Sequence, residues 1–189
     1  MFVRQWGLIT HNFSTVSPWV AHFAGQIPLK SESKRVLDYA CGSGRHTVYL
    51  AELGYQVLGV DIQLPSLPTM NHCQPNAIEL RCMDLEAQQF AFDLKLEKFS
   101  GLIVTNYLYR PHLDKMLDLL DEGGVLIYET FAMGNEAFGK PSNPNFLLRE
   151  NELLEVVLAK QSFHINAFES GYVEDPKPAM IQRICAVKT

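Results

Sequence analysis

Residues 36–47 read VLDYACGSGRHT, and residues 56–61 read QVLGVD. Each stretch is an apolar run that closes on an aspartate, Asp38 in the first and Asp61 in the second. Between them lie two glycines in three residues, Gly42 and Gly44, and a longer run that stops at Gly54. This pattern predicts a strand over 35–40, a glycine turn, a helix over 45–53 ended by Gly54, and a second strand over 55–60.

The same alternation continues outward. Residues 64–73 are weakly helical and interrupted by Pro65 and Pro68, and 77–82 and 101–106 read as strands. Residues 111–120 read as a helix, with Leu113, Met116, Leu117 and Leu120 at helical spacing. Gly123–Gly124 is expected to turn the chain into a fifth strand over 125–130. The stretch 132–146 holds two glycines, two prolines and three asparagines, and is expected to be a loop. A helix over 149–159 and strands over 163–169 and 181–187 close the chain. Ahead of all this, Ser17–Pro18 starts a helix running to residue 27, a cap followed by proline in the first turn. PLKSESK at 28–34 is a polar connector.

The strands are continuous apolar runs, which marks them as covered on both faces, in a parallel sheet of an α/β protein. The short connection between the last two strands allows an antiparallel pair but no helical crossover. The expectation is one Rossmann-like, doubly wound, mostly parallel sheet of seven strands with an antiparallel edge. Residues 1–34 would form an N-terminal helical segment or lid, and 35–189 the core.

Composition bounds the function. The 189 residues are 47% hydrophobic and 20% charged, enough to fill a core. Net charge is −5 and no Lys/Arg cluster appears, so the chain is a poor general binder of nucleic acid. The opening MFVRQWGLITHNF lacks the pattern of a signal peptide, and no apolar run is long enough to span a membrane. The four cysteines show no CxxC spacing and the six histidines no metal-ligand spacing. These features read as a cytoplasmic protein with reduced thiols and no metal.

In a doubly wound sheet the ligand sits beyond the carboxyl ends of the strands, where strand order reverses. The turn Ala40-Cys41-Gly42-Ser43-Gly44 would let a ligand approach the backbone. Asp61 lies about twenty residues on, where a carboxylate accepts ribose hydroxyls. A dinucleotide site wants a third small residue where Thr47 stands, and a carboxylate at the turn would repel a pyrophosphate. Asp38 suits a ligand carrying an amino group, which favours S-adenosylmethionine over NAD.

VLDYACGSG with QVLGVD resembles the first two motifs of class I S-adenosylmethionine-dependent methyltransferases. The likeness runs through most of the chain, including Met83-Asp84-Leu85, the segment 103–108, and LLDEGGVLI at 119–127. More narrowly, CGSGRHTVYLAELGYQVLGVD and PNFLLRENELL are similar to small bacterial methyltransferases of the tellurite-resistance type. A departure is Ala40-Cys41, where many members carry an earlier glycine.

The resemblance implies roles. Asp38 would meet the methionine amino group directly or through water, and Ala40, Gly42, Gly44 and Asn106 would line the methionine. Asp61 would hold the ribose and Asp84 the adenine amine, with Ile62, Met83 and Leu85 against the ring. The acceptor would meet the methyl group near the ends of strands four and five. Tyr107, Tyr109, Arg110, His112, Glu129 and Thr130 stand there, and loop 131–146 with Trp6, His11 and Trp19 could close over them. His112 is the first candidate base, then Glu129, with Tyr107 as a third catalytic candidate. Cys41 reads as packing rather than a nucleophile. His46 reads as a polar packing residue whose place beside the turn allows a cofactor or substrate contact.

TNYLYR at 105–110 is not the NPPY-like motif of nucleic-acid amino-methyltransferases, and no recognition domain is apparent. A small-molecule acceptor is therefore expected, with a soft chalcogen implied by the narrower resemblance. Three alternatives stay open: a non-catalytic cofactor-binding or interaction protein, an RNA or protein methyltransferase using a partner, and a nicotinamide-dependent oxidoreductase. Acceptor and oligomeric state are not legible.

Overall fold

The structure is a computed structural model, and it describes residues 16–29, 35–67, 76–87, 94 and 97–189. Seven strands form one sheet: β1 (Arg35–Tyr39), β2 (Gln56–Asp61), β3 (Ile78–Cys82), β4 (Phe99–Thr105), β5 (Leu120–Phe131), β6 (Phe163–Val173) and β7 (Ala179–Lys188). Their order is β3-β2-β1-β4-β5-β7-β6. The pairs from β3 to β5 are parallel, and β7 runs antiparallel to both β5 and β6. The antiparallel element expected at this edge is thus β7, inserted one place in from β6.

Period-two alternation sorts the apolar residues onto two faces. Val36, Val57, Ile103 and Ile127 face one way, under α1 (Pro18–Phe23) and α2 (Arg45–Glu52). Leu37, Leu58, Leu102 and Leu126 face the other, under the 110–119 segment and α3 (Glu152–Ala159). Both sets are almost completely buried. Burying one such side chain is worth about 1.5–3 kcal/mol, so the two layers hold the sheet against its covers.

Two expectations are corrected. Residues 111–120 are not one helix. They make two short 3-10 turns, Arg110–His112 and Lys115–Leu119, and Leu120 already belongs to β5. Leu113, Met116 and Leu119 are all buried, and their spacing of three fits the three-residue repeat of a 3-10 turn. Gly123–Gly124 is not a turn before β5 but a bulge within it. The register jumps from Phe99↔Leu120 to Gly101↔Val125, leaving extra residues on β5. Gly123 has φ +76°, and a Cβ on Gly124 would lie 2.8 Å from the Asp121 carbonyl oxygen.

β1 is followed in space by β4 on one side and β2 on the other, so strand order reverses between β1 and β4. The candidate site lies there. Expected features at residues 1–15, 30–34, 68–75 and 88–93, including Trp6, His11 and Cys73, fall outside the described residues.

Candidate active site

The turn after β1 is built on left-handed backbone. Ala40, Gly42 and Gly44 have φ of 57°, 54° and 75°. Gly44 also carries contact: a Cβ there would lie 2.5 Å from Leu67 Cδ2, in the loop that follows β2. At Gly42 a Cβ would meet nothing within 4 Å, so its conformation and open backbone explain the glycine. Ala40 holds the same left-handed geometry with a Cβ, a strain of about 1–2 kcal/mol.

Asp61 closes the turn from the neighbouring strand. Its Oδ2 accepts from the Gly42 N–H at 2.9 Å and its Oδ1 from the Gln63 N–H at 3.0 Å. The turn thus reads the end of β2 before any ligand arrives.

Asp38 is placed differently from the expectation. It lies one residue inside β1 on the face that α2 covers, is 1% exposed, and accepts from the Thr47 hydroxyl at 2.5 Å. Burial pushes its carboxyl up to about 6, although the Thr47 bonds and the Arg45 charge pull the other way. It sits behind the turn rather than at its mouth. Gly59 opposite Asp38 leaves room for this, since a Cβ there would crowd Thr47 Oγ1 at 3.1 Å.

A cavity of about 350 Å³ opens over the turn. Ala40, Cys41, Gly42, Ser43, Arg45, Asp61, Thr105, Asn106 and Tyr107 line it. A second cavity, of about 210 Å³, adjoins it and shares Asn106 and Tyr107. Glu86, Leu108, Thr130, Phe131, Pro141 and Phe146 complete its walls. Asn106 sits in left-handed conformation (φ 56°), which asparagine tolerates better than most residues, and its N–H is anchored to the Glu129 carbonyl at 3.0 Å.

The expected ring neighbours divide by the strand period. Met83 and Leu85 are buried in the core, while Asp84 between them is exposed and Ile62 is 68% exposed.

The candidate bases are not brought to either cavity. His112 is 5% exposed, and its Nδ1 lies 2.8 Å from the Leu85 carbonyl oxygen, to which it donates. Glu129 Oε1 accepts from the Ser17 hydroxyl at 2.8 Å, and its Oε2 faces Arg183 Nη1 at 3.3 Å. Tyr107 lines both cavities, but its hydroxyl is sealed from solvent and has no hydrogen-bond partner among the described residues. Burial, then the charges of Glu86, Tyr109, Asp84 and Asp61, drives that phenol above its ordinary value. Trp19 is no lid: it is buried under the Arg183 guanidinium, 4.6 Å from the ring centre. Cys41 is a buried thiol pushed up to about 12, chiefly by burial and then by the Asp38 and Asp61 charges, which suits packing.

Arg45, Ser43 and Thr105 were missed as cavity residues. Arg45 and Ser43 flank the quoted glycines, so adjacency to the turn was an available signal. Thr105 was not legible, because its position depends on a bridge. His46, buried on α2, accepts the Ser17 N–H on Nε2 at 3.1 Å. The other nitrogen therefore carries the proton and donates to Thr105 Oγ1 at 3.3 Å. Burial holds His46 down to about 3, with the Arg45 charge adding to this, so the ring is neutral. This bridge pins the start of α1 to the end of β4.

The cavity wall on the acceptor side is latched from beneath. Arg110 grips Glu152 with Nε and Nη2 at 2.7 and 2.8 Å, and its Nη1 and Nη2 reach the Asn145 and Leu147 carbonyls. The segment carrying Phe146 is thereby tied to the chain just past Tyr107.

A family model described as a methyltransferase domain matches residues 36–124. No curated protein matches the chain. Among solved structures, TehB from Haemophilus influenzae superimposes with a TM-score of 0.69 at 20% identity, over 95% of this chain. The chain spans 64% of that protein's length. The 1,6-didemethyltoxoflavin-N1-methyltransferase of Burkholderia thailandensis, solved with 1,6-didemethyltoxoflavin and S-adenosylhomocysteine, gives 0.62 at 20% identity, over 92% of this chain and 77% of its own. The [4+2]-cyclase SpnF gives 0.58 at 12% identity, over 89% and 79%. The chain is thus similar to a methyltransferase domain over residues 36–124 and shares its fold with solved S-adenosylmethionine-dependent methyltransferases, and SpnF shows that the fold alone does not name a reaction. Among the described residues no helix is long and apolar enough to cross a membrane.

Proposed function

We propose that this chain, premised on its likeness to a methyltransferase domain, transfers a methyl group from S-adenosylmethionine to a small molecule. The observation that carries the reading is the pair of adjoining cavities that meet at Asn106 and Tyr107, beyond the carboxyl ends of β1 and β4. One is lined by a glycine turn and charged groups, the other largely by apolar side chains.

The residues of the first cavity fit the cofactor. Asp61 offers carboxylate oxygens at the ribose position, and the left-handed turn exposes backbone to the methionyl chain. Arg45 offers a guanidinium to its carboxylate. Asp38, behind the turn, acts on the amino end through the field of its carboxylate and the turn it supports. Asp84 and Ile62 stand at the expected adenine end. When bound, the cofactor supplies an electrophilic methyl carbon on a sulfonium sulfur.

What the chain contributes is placement. Asn106 and Tyr107, fixed by the anchored left-handed backbone and the Tyr128 hydroxyl bonded to the Tyr107 carbonyl at 2.7 Å, set the boundary between cavities. Alignment of this kind can supply several kcal/mol of barrier lowering without a base. The second cavity, about 210 Å³, is of a size for a compact acceptor. The tellurite-type resemblance would put a soft chalcogen there.

The test is formation of S-adenosylhomocysteine over a panel of small nucleophiles, with RNA and casein as macromolecular controls. Turnover with small molecules alone supports the reading. Turnover with RNA or protein alone, or none at all despite tight cofactor binding, moves the chain to a partner-assisted or non-catalytic role.

A further inference from the structure

Among the described residues, the acceptor cavity has one charged side chain in its lining, Glu86. Around it stand Leu108, Phe131, Pro141 and Phe146. Among the described residues no side chain pairs with its carboxylate. The local turn fixes its backbone, because the Glu86 N–H donates to Asp84 Oδ1 at 3.0 Å. Its charge is felt at the wall between the cavities, where it is the first of the charges that raise the Tyr107 phenol, ahead of Asp84 and Asp61. Two cations of the surrounding segments are engaged elsewhere: Arg110 is locked to Glu152, and Lys177 lies on the Phe131 ring at 5.6 Å.

From this arrangement we infer that the second cavity takes a compact aromatic or aliphatic amine, held with its nitrogen toward Glu86, and disfavours anionic acceptors such as carboxylates and chalcogen oxyanions. The inference rests on the methyltransferase reading and narrows its acceptor. An unpaired carboxylate at the rim of an apolar cavity attracts an ammonium or a polarised N–H and repels an anion. In the transfer itself the neutral amine nitrogen bonds to the methyl carbon as the carbon–sulfur bond breaks. The electron pair of that bond goes to sulfur, and the resulting ammonium gives up its proton to solvent, while Glu86 stays a carboxylate that orients the nitrogen. A tellurite-type oxyanion would meet Glu86 as a like charge, so the chemistry of this cavity departs from the chalcogen expectation.

The test uses the full chain saturated with S-adenosylhomocysteine, with phenethylamine and hydrocinnamate as matched probes read by ligand-observed NMR. Phenethylamine should bind at least about fivefold tighter than hydrocinnamate, the size expected for one exposed charge pair. Glu86→Gln should erase most of that ratio while leaving the S-adenosylhomocysteine affinity unchanged. Equal binding of the two probes, a ratio unchanged in E86Q, binding of neither, or displacement of phenethylamine by tellurite would overturn the inference while the cofactor reading stands. Failure of S-adenosylhomocysteine to bind the same sample would overturn both.

Discussion

The two adjoining cavities are built in opposite ways. The cofactor cavity comes mostly from one short piece of chain, residues 40–45, closed by Asp61 and the end of β4. The acceptor cavity draws on residues 86, 106–108, 130–131, 141 and 146, brought together by sheet order and by a latched loop. The first is locally encoded and depends on backbone conformation. The second exists only when distant segments are held in place, so mutations far from its walls should reshape it. Four substitutions probe this difference.

The largest effect is expected at the latch. Glu152 is buried, and burial alone would raise its carboxyl, but the Arg110 and Arg149 bonds hold it down to about 2. It therefore adds stability above the ordinary carboxylate value, near 4.5, and loses it as pH falls toward 2. Glu152→Ala leaves Arg110 without its partner. It should lower unfolding free energy by about 3 kcal/mol in urea denaturation at neutral pH, less than a fully buried pair because Arg110 is partly exposed. In the folded fraction, amine binding should weaken while cofactor affinity holds. Equal loss of both affinities would mean the cavities are not separable.

Asp38 should respond with the opposite sign. Its folded value near 6 exceeds its ordinary 3.8, so the folded state keeps a proton that the unfolded chain has lost between those values. Asp38 therefore lowers stability as pH rises from about 4 to about 6, and the deficit persists above. His46 does the reverse: its folded value near 3 lies below 6.5, so its contribution falls as pH drops through that window. In the wild type the two slopes oppose. Asp38→Asn should raise stability at pH 8 by about 2 kcal/mol and make melting temperature climb with pH between 4 and 6. The same variant should bind S-adenosylmethionine more weakly. A fall in stability at pH 8 would show that the Thr47 bond outweighs the burial of charge.

Asp61→Ala should weaken S-adenosylmethionine by about 1.5 kcal/mol, the lower end for hydrogen bonds to a charged group, because the carboxylate is partly exposed. Calorimetry on the folded variant reads this directly, and unchanged affinity would remove Asp61 from the site. Smallest is Tyr107→Phe. The hydroxyl is buried with no partner among the described residues, so its loss should be neutral or stabilising by up to about 1 kcal/mol, with turnover kept. Collapse of turnover in a stable variant would make the phenol catalytic.

This contrast also explains what the sequence revealed. Glycines at 42 and 44, the aspartates at 38 and 61, and the apolar runs around them mark strand, turn and helix through local rules, and the sheet class followed from them. Asn106 was legible only through the resemblance, which sets it near the methionine at the end of the fourth strand. His112 and Glu129 looked like bases because polarity at a strand end is visible in sequence and its hydrogen-bond partner is not. The partners are Leu85 and Ser17, 27 and 112 residues away. Met83 and Leu85 are buried beside the exposed Asp84, a placement that depends on where the strand's last paired residue falls. Glu86, one residue past Leu85, drew no attention for the same reason.

The most direct measurement of the central claim is a calorimetric titration of the full chain with S-adenosylmethionine, S-adenosylhomocysteine and NAD. The account predicts micromolar, one-to-one binding of the first two and no heat from NAD. Binding of NAD alone, or of none of the three to a folded protein, would contradict it.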